Sequence, residues 1–334
     1  MPELRLNVLT NEWVIIAKER SSRPRDVLPE RARSAVPEHV ADCPFCPGNE
    51  ALSEERWRLF DDKMGWRVRS VTNKYPALSM AVPEVRVERD GLRVRADGFG
   101  IHEVIIDSPR HDLSIAQMRA EQVRWLVQAY RHRYRELSAD PRVCQLILFK
   151  NHGAAAGSSM THPHSQLIAT PVVSNQVRDR LRGMAEYLEQ HGQCMVCKLI
   201  EDELADERHL VHVGPRFVAM VPYAALSRFH TWIFPRRHMA RFGELGDDEV
   251  QDFAHTLHLV LAKMAQGLGE PDFNFVIRSA PSSCAPEQFH WYLSIVPRLN
   301  RTAGFELGSG MYVNGSLPEE SAAFLRSVEP SLEP

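Results

Sequence analysis

The sequence contains two Cys-x-x-Cys pairs, and each pair is followed by two histidines at matching intervals. In the first half of the chain 51 residues separate His111 from His162, and in the second half 52 separate His238 from His290. Thiolate and imidazole ligands in a group of four suit tetrahedral zinc, and a closed set of protein ligands is typical of structural sites. The spacing therefore predicts two structural zinc sites, formed by Cys43, Cys46, His111 and His162 and by Cys194, Cys197, His238 and His290.

A redox role is the alternative for the cysteine pairs. Redox pairs stand at the head of a helix in a thioredoxin-like context, and their thiols react with other thiols. In "CPFCPGNE", however, Pro47 and Gly48 directly follow the second cysteine, which is typical of a tight knuckle around a metal. Metal binding is therefore the favoured interpretation.

The sequence between the ligands also repeats. Each half has an apolar, strand-like run that ends near a ligand histidine, then an amphipathic helix, a strand, a loop and a second strand that carries a histidine. The two helices bear apolar residues at spacings of three, four and seven, namely Val123, Leu126, Val127, Tyr130, Tyr134 and Leu137, and Val250, Phe253, Leu257, Leu261, Met264 and Leu268. This pattern predicts an α+β fold of two related halves, residues 1–172 and 173–334, joined by a helix within 170–193 that ends near Gly192.

The overall composition excludes several classes of protein. The net charge of −3 and the pI near 6.6 give no reason to expect a nucleic-acid partner. The N-terminal segment is charged throughout, and no apolar run approaches the roughly 18 residues of a membrane helix. We expect a cytoplasmic protein with no membrane partner and no disulfides. The charge balance does not exclude a small anionic substrate, because local arginines can bind one.

Residues 160–169, "MTHPHSQLIA", place three polar side chains at two-residue intervals. On a strand His162, His164 and Gln166 share one face, so a zinc-bound His162 leaves His164 free as a nucleophile. A neutral imidazole can attack phosphorus, and the resulting phosphoramidate can be opened by a second acceptor. The preceding "GAAAGSS" (153–159) lets backbone N–H groups and serine hydroxyls approach a phosphoryl group, and Gln166 can bind its oxygens. The alternative is a strand with two polar side chains that serve only the fold.

The segment "FKNHGAAAGSSMTHPHSQ" (149–166) resembles the active-site segment of the galactose-1-phosphate uridylyltransferase family, a branch of the histidine-triad superfamily. The similarity extends over nearly the whole chain, through "CPFCPGN", "VTNKYPAL" and "SPRHD" to "GFELGSGMYVNGSLPEE". It implies two histidine-triad-like halves, each an antiparallel sheet with helices, and usually a homodimer. It also implies double displacement, in which a nucleotidyl group passes through a covalent histidine intermediate.

The resemblance assigns roles to individual residues. It implies that His164 is the nucleophile, that Gln166 positions the phosphoryl oxygens, and that Cys43, Cys46, His111 and His162 bind zinc. The second set of four resembles the second zinc site of the ADP-glucose phosphorylase branch. Substrate contacts are implied for Arg20, Arg23, Asn73, Asn151, Gly157, Ser159 and Phe305.

The segment that contains Phe305 departs from the family pattern. Galactose-specific members carry a Tyr-Glu pair where "GFELGSGMY" has Ser309 and Gly310, so the hexose and the base stay open. Our first hypothesis is a UDP-glucose:hexose-1-phosphate uridylyltransferase that uses a nucleotide sugar and a hexose 1-phosphate. The alternatives are an ADP-glucose phosphorylase, which transfers an adenylyl group to phosphate, and a zinc-stabilised nucleotide-binding module without catalysis. A nucleotide hydrolase fits less well, because shorter histidine-triad proteins carry a third histidine where Gln166 stands.

Overall fold

The computed structural model describes residues 1–19, 36–300 and 302–332 of the chain. The strands of this part are β1 (Glu3–Asn7), β2 (Glu12–Ile16), β3 (Glu55–Asp61), β4 (Gly65–Thr72), β5 (Val87–Asp90), β6 (Arg93–Ala96), β7 (Ile101–Ile106), β8 (Gln145–His152), β9 (His164–Thr170), β10 (Leu210–Val213), β11 (Phe217–Met220), β12 (Thr231–Pro235), β13 (Phe273–Arg278), β14 (Tyr292–Pro297) and β15 (Tyr312–Asn314). Its helices are α1 (Ala120–Ser138), α2 (Asn175–His191), α3 (Met195–Asp206), α4 (Asp247–Leu268), α5 (Gly304–Ser309) and α6 (Pro318–Ser327). None of the described helices has the length and apolar character needed to cross a membrane.

One large sheet holds strands from both halves of the chain. Its order is β10-β11-β12-β14-β13-β8-β9-β7-β4-β3, and all neighbouring strands are antiparallel. The central pair is β8 and β13, one from each half, with Asn151 opposite Asn274. The predicted α+β class with antiparallel sheets is confirmed, and the strand order is arranged symmetrically about this central pair.

The two long amphipathic helices lie on one face of this sheet. As predicted from their spacing, Val123, Leu126 and Val127 of α1 are fully buried, and so are Phe253 and Leu257 of α4. They join one core with the alternate residues of the strands, such as Leu148, Leu167 and Ala169. The period-two pattern of β9 therefore sends Leu167 towards the helices and His164 and Gln166 towards the opposite face.

The opposite face is covered by helices in the C-terminal half. The helix α2 lies within the predicted range and ends at His191. Gly192 follows it, and its φ of 70° is the left-handed conformation that favours glycine after a helix. Residues of α2 and α3 pack with strand residues of β11, β12 and β14, including Met184, Val196, Ile200, Met220, Trp232 and Tyr292.

The N-terminal hairpin packs on the C-terminal half. Strand β15 pairs in parallel with β2 in a three-stranded sheet. The side chain of Asn7 donates to the carbonyl of Ala224 at 3.1 Å, and Arg5 forms an ion pair with Glu319 at 2.8 Å. Since residues from both ends share this sheet, the boundary between 1–172 and 173–334 stays a prediction.

Candidate active site

His164 is the first residue of β9 and is held by its own strand. Its side chain is 6% exposed, and its Nδ1 donates to the carbonyl oxygen of His162 at 2.9 Å. Because a carbonyl only accepts, the proton lies on Nδ1 and the lone pair lies on Nε2. Burial, and then the charge of Lys150, lower the pKa of His164. The imidazole is therefore neutral near pH 7, with Nε2 available as a nucleophile.

The first predicted ligand set converges directly beside His164. Cys43, Cys46, His111 and His162 are buried, and their ligand atoms all lie within 4.8 Å of one another. The Nδ1 of His162 lies 3.7 Å from Sγ of Cys43 and 3.6 Å from Sγ of Cys46. Tetrahedral zinc with its usual bond lengths separates a sulfur and a nitrogen ligand by about 3.6 Å, so this set fits zinc.

The hydrogen bonding of His162 also indicates that Nδ1 is its metal-binding atom. Its Nε2 donates to the carbonyl of Ser108 at 2.8 Å, which leaves the Nδ1 lone pair directed at the two thiols. Burial is the main reason that the pKa of His162 falls to about 4, so the ring is neutral as a metal ligand must be.

The second predicted set has the same geometry. The ligand atoms of Cys194, Cys197, His238 and His290 also lie within 4.8 Å of one another. The Nδ1 of His290 is 3.6 Å from Sγ of Cys197, and the Nδ1 of His238 is 3.7 Å from the same sulfur. The Nε2 of His290 donates to the carbonyl of Pro235, and the Nε2 of His238 donates to the carbonyl of Pro286. The structure thus brings the four residues of each predicted set together.

Gln166 lies next to His164 on the same face and is held by a neighbouring strand. Its Oε1 lies 2.9 Å from Nε2 of His102 on β7, and the same nitrogen lies 3.0 Å from Nδ2 of Asn73. Two predicted site residues, Gln166 and Asn73, are therefore linked through His102. A cavity of about 180 Å³ adjoins this group and is lined in part by Arg56, Thr72, Leu78, Met80 and His102.

The glycine-rich loop lies between β8 and β9. Gly153 has a φ of 83°, and its position lets the Asp272 carboxylate approach and accept the N–H of Ala155 at 2.7 Å. Gly157, with a φ of 84°, and Ser159 are exposed in the same loop. At its base Asn151 accepts a hydrogen bond from Asn274 at 2.7 Å, which fixes the predicted asparagine across the central strand pair.

Not every predicted substrate residue is placed at this site. Arg20 and Arg23 lie outside the described residues. Phe305 lies on α5, which packs against β15 of the three-stranded sheet, and its side chain is 48% exposed. Among the described residues, no hydrogen bond joins α5 to β9, the strand that carries His164 and Gln166.

Three features of the site were not found from the sequence. The ring of Phe45, inside the first cysteine pair, lies 5.7 Å from the ring of His164. The second is His102, whose place in the repeat is taken by His230 in the other half, where Nε2 of His230 lies 2.8 Å from Oγ of Ser294. The third is a buried ion pair between Lys150 and Asp107. A charged residue inside an otherwise apolar strand, as in "LILFKNH", was the available signal for it.

Fold and site together define the class of protein, a nucleotidyltransferase with a histidine next to a Cys₂His₂ cluster. The model of the family described as galactose-1-phosphate uridyl transferase, N-terminal domain, matches residues 1–174, and the chain belongs to this family. An ADP-glucose phosphorylase of Arabidopsis thaliana is 35% identical over 98% of this chain and 93% of its own length. A galactose-1-phosphate uridylyltransferase of Thermotoga maritima is 28% identical over 98% of this chain and 99% of its own.

A solved structure supports the same relationship. The crystal structure of an ADP-glucose phosphorylase from Arabidopsis thaliana with bound ADP-glucose has a TM-score of 0.85 to this chain and is 33% identical. The alignment covers 99% of this chain and all of the other. The alignment therefore covers both halves of the chain, beyond the N-terminal part that the family model matches.

Proposed function

We propose that this protein transfers the nucleotidyl group of a nucleoside diphosphate sugar through a covalent intermediate on His164. The observation that carries the proposal is the hydrogen bond from Nδ1 of His164 to the carbonyl of His162, at 2.9 Å. It fixes the tautomer in which Nε2 has the lone pair, and that atom is the one that can attack phosphorus. A binding module without catalysis has no need for this arrangement.

The reaction follows from these groups in two displacements. Nε2 of His164 forms a bond to the α-phosphorus, the P–O bond to the sugar phosphate breaks, and the sugar 1-phosphate leaves with the electron pair. In the second displacement an oxygen of the acceptor phosphate attacks the same phosphorus, and the electron pair of the N–P bond returns to Nε2. Gln166 and the hydroxyl group of the exposed Ser159 would bind the phosphoryl oxygens. The backbone N–H groups of residues 155–158 already donate to Asp272 or to carbonyl groups within the loop.

For the substrates, we favour ADP-glucose with inorganic phosphate as acceptor. The support is the similarity over both chains to an ADP-glucose phosphorylase, 35% identical. A second candidate is uridylyl transfer from UDP-glucose to galactose 1-phosphate, supported by the relative from Thermotoga maritima. Ser309 and Gly310, at the end of α5, lack the carboxylate and phenol that the galactose-specific pattern carries, which favours the first candidate.

We also propose that both Cys₂His₂ sets hold zinc, as structural sites. The first set would anchor His162 and so fix the strand on which His164 lies. The second would join α3 to the segment before β14 through Cys197 and His290. We further propose that the protein is a homodimer, as the family resemblance implies.

The test is a comparison of the two substrate pairs with wild type and His164→Ala. ADP-glucose and phosphate should react to give ADP and glucose 1-phosphate. The kcat/KM of this reaction should exceed that of UDP-glucose with galactose 1-phosphate. The reverse preference would support the second candidate. In both cases His164→Ala should lose turnover and keep its zinc content, and an active variant would contradict the role of His164.

A further inference from the structure

A buried ion pair lies directly behind the strand that carries His164. Lys150 of β8 and Asp107, which follows β7, are 1% and 0% exposed, and their Nζ and Oδ2 atoms are 2.6 Å apart. Both side chains lie on the helix side of the sheet, within the apolar core, whereas the imidazole of His164 lies on the other side. A charged pair in such a place needs a physical reason, because apolar residues of similar volume usually give equal or greater stability.

This pair holds the segment around His164, residues 163–165, at three points. The Nζ of Lys150 also donates to the carbonyl oxygen of His164 at 2.8 Å. Asp107 accepts from Oγ of Ser165 at 3.0 Å through its other carboxylate oxygen, and its N–H donates to the carbonyl of Pro163 at 3.0 Å. The residues before, at and after the nucleophile are thus each fixed by one of these two residues.

The C-terminal half shows that the fold does not require charges at this position. His164 and Tyr292 both stand two residues after a ligand histidine, so Ser165 corresponds to Leu293. In the first half Phe149 pairs with Gln166, so the next residue of β8, Lys150, lies beside Ser165. In the second half Ile277 pairs with Leu293, so Ile277 takes the place of Lys150. Ile277 and Leu293 are buried apolar residues, 2% and 0% exposed. The same strand pairing is built there without an ion pair.

We infer that Lys150 is a positioning residue for the nucleophile, oriented by Asp107. The ammonium group fixes the carbonyl of His164, and with it the strand end from which the imidazole projects. The inference rests on the proposed nucleotidyl transfer. Displacement of a reacting group by about 1 Å can lower a rate by about 100-fold, so a fixed strand end has a direct kinetic effect.

The test replaces the pair by neutral residues of similar size. Lys150→Met alone leaves a buried, unpaired carboxylate and can unfold the chain, so the main variant is Lys150→Met with Asp107→Asn. We expect this double variant to keep its melting temperature and zinc content, and its KM for the nucleotide sugar. We expect the rate constant for labelling of the protein by the nucleotide sugar to fall about 10- to 100-fold.

Two further variants separate positioning from packing. Lys150→Gln with Asp107→Asn restores an N–H donor towards the carbonyl of His164, and it should recover part of the lost rate. Tyr134→Phe removes a buried hydrogen bond to Ser279 in the other half and serves as the control, with an unchanged rate. A Lys150→Met, Asp107→Asn protein that is labelled at the wild-type rate would overturn the positioning role. Failure of the wild type itself to be labelled would contradict the proposed function instead.

Discussion

Gly153 begins the glycine-rich loop at a point where a side chain has no room. A Cβ atom at this position would lie 2.0 Å from Oδ1 and 2.2 Å from Cγ of Asp272. The carboxylate would have to move away, and it would lose the N–H of Ala155, which it accepts at 2.7 Å. Gly157 offers a control in the same loop, since its φ of 84° is nearly that of Gly153 but no atom lies within 4 Å of its Cβ position. Its ψ of 19° is left-handed helical, whereas the ψ of 164° at Gly153 belongs to a region that only glycine adopts readily.

The two alanine variants should therefore lower the free energy of unfolding by different amounts. Left-handed backbone at a residue other than glycine costs about 1–2 kcal/mol, which applies to Gly157→Ala. The glycine-only conformation of Gly153 costs about 1–3 kcal/mol for another residue. A hydrogen bond to a charged group contributes about 1.5–3 kcal/mol, and only Gly153→Ala loses one. We expect the free energy of unfolding to fall by about 2.5–6 kcal/mol for Gly153→Ala and by about 1–2 kcal/mol for Gly157→Ala.

Urea unfolding of both variants beside the wild type measures these values. Equal losses for the two alanines would refute the reasoning, because both the contact with Asp272 and the ψ of Gly153 predict a larger loss for Gly153→Ala. In the activity assay Gly153→Ala should also raise KM for the nucleotide sugar, because the loop that carries Gly157 and Ser159 loses its attachment to Asp272.

Two other predictions concern stability. Burial by itself lowers the pKa of His209, but Glu203 and Glu319 outweigh burial and raise this pKa above 6.5 in the folded protein. The protonated His209 therefore stabilises the fold fully below pH 6.5, and this contribution is lost as the pH rises through the pKa of the folded state. His209→Gln should flatten the dependence of melting temperature on pH in this range, and an unchanged slope would exclude His209 as its source. Cys46→Ser should remove one zinc per chain and lower the melting temperature, with the half-buried Cys144→Ser as control. Full zinc content in the Cys46 variant would show that this ligand set is wrongly assigned.

Much of the site could be predicted because its residues repeat at fixed spacings. The two cysteine pairs and their histidines were found from the chain alone, and so were the buried faces of α1 and α4, since period and ligand type are local properties. The alternation along β9 also placed His164 and Gln166 on one face without knowledge of the neighbouring strands.

The remaining contacts depend on which strands become neighbours. His102 reaches Gln166 only because β7 pairs with β9, and Asn274 reaches Asn151 only because β13 meets β8 at the centre of the sheet. The packing of the N-terminal hairpin on Ala224 and Glu319 likewise joins residues more than 200 positions apart. Spacing along the chain carries no information about such pairs.

The central claim is that His164 carries the nucleotidyl group. Wild-type protein incubated with ADP-glucose in the absence of phosphate, then digested and analysed by peptide mass spectrometry under conditions that preserve phosphoramidates, tests it directly. We predict an adenylyl group on His164 and release of glucose 1-phosphate, with no adduct in His164→Ala. The same incubation with UDP-glucose should give a uridylyl group if the second candidate is correct. An adduct on a different residue, or no adduct with either nucleotide sugar, would contradict the account.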